Sequence, residues 1–201
     1  MTRRLAAGLL LATILTSACG GDEPAALTGY ERIPPPGVAD VTLPDLSNGG
    51  EQFAFRADED ELLVIYFGYT NCPDYCPTTM SDLKLARNRL DDDLAERIDV
   101  AMVSVDPDRD TAVLPQYVGG FFDDGHALAT DDPNALARAA DPFGVTYNIT
   151  EGPDGEPEVA HTTSLYAVDD QGRLALTWPF GTTIEQLATD LEILLDRTEQ
   201  A

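Results

Sequence analysis

Leu62-Leu63-Val64-Ile65-Tyr66-Phe67-Gly68-Tyr69-Thr70-Asn71-Cys72-Pro73-Asp74-Tyr75-Cys76-Pro77 joins a continuous apolar run to a pair of cysteines. The run Leu62 to Phe67 shows no polar alternation, which predicts a strand buried on both faces. Behind the cysteines, Met80, Leu83, Leu85, Ala86 and Leu90 recur at helical spacing and predict a helix with an apolar face. The two thiols therefore sit on a strand-to-helix turn. Pro77 suits the first helical position, because its fixed φ fits and its missing N–H would have been unpaired there anyway. That places Cys76 near the N-cap, where unpaired N–H groups and the helix dipole favour a thiolate over a thiol.

Three residues, Pro73, Asp74 and Tyr75, separate Cys72 from Cys76, where redox enzymes of the thioredoxin type have two. The wider gap still permits a disulfide, and it also lets both sulfurs converge on one ion. Two soft thiolates suit Cu(I), and an added imidazole makes a three-coordinate site that also holds Cu(II). The chain has two histidines. His161 precedes Leu165-Tyr166-Ala167-Val168, the first of two strands joined at Asp169-Asp170-Gln171-Gly172, so a loop could present it to the cysteine turn. His126 sits beside acidic residues and reads as the opening of a strand. A single histidine is most often a hydrogen-bonded structural residue, and it is the cysteine pair that raises the standing of a third ligand.

Gly68 to Thr79, then Val103-Ser104-Val105-Asp106-Pro107-Asp108-Arg109-Asp110-Thr111, then His161 ahead of Leu165-Tyr166-Ala167-Val168-Asp169 together resemble the Sco/SenC family. The resemblance runs from Val38 to Leu195 and rests on the order and spacing of three separate blocks. It implies a thioredoxin-like α/β fold, copper held by Cys72, Cys76 and His161, and a role in assembling the binuclear copper centre of respiratory cytochrome c oxidase. It also implies two partners, an upstream copper donor protein and the copper-bearing subunit of the oxidase. Asn71 stands where a His is frequent in the family, which leaves the ligand set intact but alters its surroundings.

Arg3-Arg4, the apolar run from Leu5 to Leu15 and the small residues up to Cys19 read as a signal peptide over residues 1–18, too short for a typical membrane span. Thr16-Ser17-Ala18-Cys19 resembles a bacterial lipobox with Thr16 in place of the usual Leu. Lipidation of Cys19 is therefore expected, and ordinary secretion with cleavage nearby is the alternative. Residues 19–37, rich in Gly and Pro with Pro34-Pro35-Pro36, read as a tether holding the domain off the membrane. The expected location is extracytoplasmic, lipid-anchored on the outer face of the cytoplasmic membrane or in the periplasm.

Residues 38–198 suffice for one domain with a full core. Val41-Thr42-Leu43 and Gln52-Phe53-Ala54-Phe55, joined through Asn48-Gly49-Gly50, predict an N-terminal β-hairpin. Asp99 to Val105 predicts the next buried strand, with a crossover helix before it. Helices are expected over 111–122, 133–140 and 184–195, the last capped near Thr182 or Thr183, and strands over 164–168 and 174–177. This order predicts a central mixed sheet with helices on both faces.

The formal net charge is −24, with Lys84 as the only lysine. Nucleic acid is excluded as a partner, because phosphate binding depends on clustered Lys and Arg. Asp91-Asp92-Asp93 and Asp131-Asp132 read as solvated acidic surface. Asp106-Pro107-Asp108-Arg109-Asp110 reads either as a functional loop after a buried strand or as a helix cap at Asp110. These acids are not expected to bind copper, since carboxylates are harder than Cu(I) prefers. Three activities fit the thiols: copper delivery; thiol-disulfide exchange through Cys72 and Cys76, cycling between dithiol and a Cys72–Cys76 disulfide; and peroxidase chemistry, in which His161 has no obvious use. A purely structural disulfide is common in secreted proteins, but so short a loop constrains little of the unfolded chain.

Overall fold

The computed structural model describes residues 26–199; the signal segment and Cys19 lie outside the described residues. The expected hairpin is present, with β1 (Thr42–Asp45) antiparallel to β2 (Glu51–Ala54) and Thr42 opposite Ala54. Its connection is a short 3-10 turn over Leu46–Asn48, closed by Gly49 at φ 66, a left-handed conformation that glycine adopts without steric cost. β3 (Leu62–Gly68) is buried at every position, as its unbroken apolar run predicts. α1 (Tyr75–Arg87) and α2 (Asp92–Ala95) then carry the chain across to β4 (Ile98–Ser104). β4 runs parallel to β3, from Leu62 opposite Ile98 to Gly68 opposite Ser104.

A separate short helix, α3 (Pro107–Asp110), precedes the helix expected over 111–122, which is confined to α4 (Leu114–Gly119). The reason is local: Pro115 has no N–H, so it cannot extend a helix from residue 111, whereas it is tolerated in the first turn of a new one. β5 (His126–Leu128) follows, then α5 (Pro133–Ala140), where Asp132 accepts from Asn134 N at 2.9 Å as an N-cap. β6 (Tyr147–Glu151) and β7 (Pro157–His161) form a separate two-stranded sheet. β8 (Leu165–Val168), β9 (Leu174–Trp178) and α6 (Ile184–Thr198) complete the domain. α6 opens on a full capping box between Thr183 and Gln186, which narrows the expected cap to Thr183.

The main sheet has seven strands in the order β2-β1-β5-β4-β3-β8-β9, parallel at β3–β4–β5 and antiparallel toward both edges. On α1, Met80, Leu83 and Ala86 are fully buried, each apolar side chain of leucine size contributing about 1.5–3 kcal/mol. Leu85, expected on the same face, is 50 % exposed. It lies two residues from Leu83 and so points to the other side of the helix. α1 packs against α6, whose Leu187, Leu191, Leu194 and Leu195 are buried.

The segment read as a tether is, from Thr28 onward, laid along the folded body. Asp190 of α6, fully buried, accepts from Thr28 N, Thr28 Oγ1, Gly29 N and Trp178 Nε1 at 2.7–2.9 Å. Tyr30 then pairs with Thr177 of β9, Arg32 donates to the carbonyls of Pro142 and Phe143, and Gly37 bridges to Arg173. Composition alone could not show this, because the docking depends on one buried carboxylate far along the chain.

Candidate metal centre

Cys72 lies in the turn after β3 and Cys76 in the first turn of α1, so both thiols occupy the strand-to-helix junction. The helix starts earlier than expected. Asp74 is its N-cap without a side-chain cap bond, Cys76 is the second helical residue and Pro77 the third. Pro77 still costs nothing, since the first four N–H groups of a helix have no intrahelical partner. Cys76 N donates to Cys72 Sγ at 3.2 Å. It is therefore the Cys72 sulfur, and not Cys76 as the spacing suggested, that receives a helix-terminal N–H.

Both cysteines are free thiols and buried. Burial pushes the Cys76 thiol up to about 12; a hydrogen bond with Cys72 adds to the rise, while Tyr66 and the Tyr69 backbone oppose it. The expected bias of Cys76 toward thiolate is thus overturned: the dipole's pull is smaller than the cost of a charge in an apolar pocket. A cationic metal reverses that balance, because it pairs the charge where it sits.

His161 is not on a loop. It closes β7, opposite Tyr147 of β6, and partial burial lowers its basicity. Nδ1 contacts the Thr162 carbonyl at 2.8 Å. A carbonyl can only accept, so Nδ1 carries the hydrogen and Nε2 keeps a free lone pair. Nε2 points at Cys76 Sγ, 3.5 Å away. The edges of Tyr66 and Tyr69 flank the imidazole, with ring centroids at 6.0 and 5.6 Å. The ring is thus held by a hydrogen bond on one nitrogen and by aromatic walls. Ligand atoms of Cys72, Cys76 and His161 all lie within 4.8 Å of one another. Two soft sulfurs and one imidazole nitrogen at that separation are a donor set for Cu(I) and Cu(II).

The Asp106 to Asp110 segment neither binds at this cluster nor caps α4, whose N-cap is Val113. Instead Asp110, fully buried, accepts from Thr70 N at 3.1 Å, from Thr70 Oγ1 at 2.6 Å and from Ser104 Oγ at 2.6 Å. One carboxylate ties the chain just before Cys72 to the end of β4. Asp106 pairs with Arg109, and its backbone N–H donates to Ser104 Oγ. This brace was legible only as an acidic loop after a strand. Asn71 is exposed. His126 behaves as read: it opens β5, bonds Asp45 at 2.8 Å and stacks on Phe53, and it stays outside the cysteine cluster.

A thioredoxin-like α/β domain that carries a Cys/Cys/His cluster at the turn after its central strand is the class that fold and site define. Residues 46–196 match the family model described as SCO1/SenC, and the chain belongs to that family. Its structure is similar to the solution structures of apo Sco1 from Thermus thermophilus, 31 % identical with a TM-score of 0.66, over 87 % of this chain and 96 % of that one. Bradyrhizobium japonicum ScoI with copper bound is 26 % identical with a TM-score of 0.64, over 83 % and 98 % of the two chains. A SCO2-like protein of Rickettsia felis is 30 % identical across 64 % of this chain and 63 % of that protein, so the chain spans less than two thirds of such a curated relative. Among the described residues no helix is long and apolar enough to cross a membrane.

Proposed function

We propose that this protein is an extracytoplasmic copper chaperone that takes one copper ion on Cys72, Cys76 and His161 and delivers it to the copper-bearing subunit of cytochrome c oxidase during assembly. The observation that carries the reading is the convergence of three soft donor atoms from two distant parts of the chain. The copper-bound Bradyrhizobium relative adds support. Copper is cargo here, so the site must hold it and also give it up. His161 stands on the small β6–β7 sheet while the sulfurs stand on the main body, so the imidazole is the ligand that can part from the sulfurs with least disturbance of the core. Copper would come from an upstream donor protein by the same exchange of soft ligands.

Titration of the reduced protein with Cu(I) and with Cu(II) tests the assignment. One equivalent of either should bind, Cu(II) with a sulfur-to-copper absorption band, and the ion should pass to a reduced copper-site domain of the oxidase. Binding that survives replacement of both cysteines by Ser would sink it.

A second role on the same residues is favoured by the two free, adjacent thiols. The dithiol attacks a disulfide between the target's copper-binding cysteines; the target leaves as a dithiol and Cys72 and Cys76 become a disulfide, so two electrons and two protons pass to the target. For location, the N-terminal pattern supports lipidation of Cys19 after removal of residues 1–18, with the segment behind it joining anchor to domain.

A further inference from the structure

Two hydroxyls beside Cys76 are buried without a hydrogen-bond partner: Tyr66 Oη and Thr79 Oγ1. Tyr66 is fully buried and Thr79 is 6 % exposed. Folded interiors leave few such groups unpaired, so two of them side by side at one sulfur call for a reason. Tyr66 reaches this point from β3, its ring edge-on to His161. The neighbours of its hydroxyl are the Cys76 sulfur and the Thr79 hydroxyl, neither placed in good hydrogen-bond geometry. Thr79 follows Cys76 by three residues on α1 and so shares its face. Packing alone does not demand the oxygens, since Phe and Val would fill the same volumes. What changes between chemical states is the acceptor: a neutral thiol is a weak one, and a thiolate is strong.

We propose that Tyr66 and Thr79 are positioning residues that form a relay of donors for the charged, metal-bound sulfur of Cys76, Thr79 donating to Tyr66 and Tyr66 to the sulfur. Both hydroxyls are then satisfied when copper is held and orphaned when Cys76 returns to the neutral thiol. The pair thereby strengthens retention of copper and weakens the covalency of the copper–sulfur bond. The proposal rests on Cys76 being a copper ligand.

The test uses the full chain with Cu(II) and Cu(I) as probes, comparing Tyr66→Phe, Thr79→Val, Thr79→Ser and, as a control, Tyr166→Phe, a buried tyrosine on β8 away from the sulfurs. Loss of a donor raises the energy of the sulfur electrons. The sulfur-to-Cu(II) band of Tyr66→Phe should therefore move to longer wavelength and Cu(I) affinity should fall about tenfold, the scale of one charge-assisted hydrogen bond. Thr79→Val should show a smaller shift in the same direction, Thr79→Ser should restore the original band, and Tyr166→Phe should leave it in place. A band and affinity unchanged in Tyr66→Phe overturn the relay while leaving the ligand assignment standing. If the wild-type chain shows no copper–sulfur band, the ligand assignment fails and the relay, which rests on it, fails with it.

Discussion

Cys76 Sγ and His161 Nε2 lie 3.5 Å apart although 85 residues separate them in the chain. The contact is made by two separate units, since α1 belongs to the main body and β7 to the two-stranded sheet. Replacing the imidazole should therefore separate the two oxidation states of copper. In His161→Ala, Cu(I) binding by two thiolates should persist with affinity lowered about tenfold or more, while the Cu(II)–thiolate absorption is lost. An unaltered Cu(II) spectrum in that variant would falsify the third ligand.

Mild oxidation of the protein without copper should produce an intramolecular Cys72–Cys76 disulfide, reversible with dithiothreitol. The sulfurs already lie within the 4.8 Å cluster and Cys76 N touches Cys72 Sγ, so closure needs only a local adjustment of the turn. Copper bound beforehand should protect both thiols from alkylation. Mass spectrometry that finds intermolecular links alone would count against the exchange role.

Asp110→Ala should cost about 3 kcal/mol of folding stability, because it strands Thr70 N, Thr70 Oγ1 and Ser104 Oγ in a buried setting. The same change should loosen the turn before Cys72 and lower copper affinity. Urea unfolding followed by copper titration checks both, and a loss below about 1 kcal/mol would show that the brace is dispensable.

Stability of the copper-free reduced protein should fall in mildly alkaline solution. An unfolded thiol ionises near about 8.5, whereas burial pushes the folded Cys76 thiol up to about 12. Below the lower value both states hold the proton and the contribution is complete. Between the two, the unfolded chain has released a proton that the fold retains, so stability declines as pH rises. Above about 10 the buried Tyr66, raised chiefly by desolvation, adds a loss of the same sign. Cys76→Ser should flatten the decline between pH 8.5 and 10, read from denaturation midpoints across that window.

Cys19→Ala should move the protein from the membrane fraction to the soluble one or block its processing, since two or more acyl chains suffice for stable anchoring. A variant that stays membrane-bound and normally cleaved would remove the lipoprotein reading and leave the copper site untouched.

Local chemistry made much of the fold readable. The apolar run Leu62 to Phe67 became a strand buried on both faces, and Val41-Thr42-Leu43 with Gln52 to Phe55 became the hairpin. The β6–β7 hairpin was missed because its residues are mostly exposed, although Val145, Tyr147 and Ile149 alternate with Thr146, Asn148 and Thr150. Gly152-Pro153-Asp154-Gly155 between the two strands was the turn signal that could have found it.

The sequence by itself determined that two thiols with three residues between them stand at a strand-to-helix turn, and resemblance in three blocks singled out His161 over His126. These are properties of neighbours along the chain and of motif order, so they need no knowledge of packing. Only the tertiary structure decided the rest: that His161 reaches the sulfurs from an edge hairpin, that Asp110 braces the turn from across β4, that Thr28 to Gly37 docks onto α6 and β9, and that Cys76 stays a thiol. Each depends on which distant groups exclude water from one another. Burial outweighs the helix dipole at Cys76 because removing solvent from a charge costs more than a helix end returns.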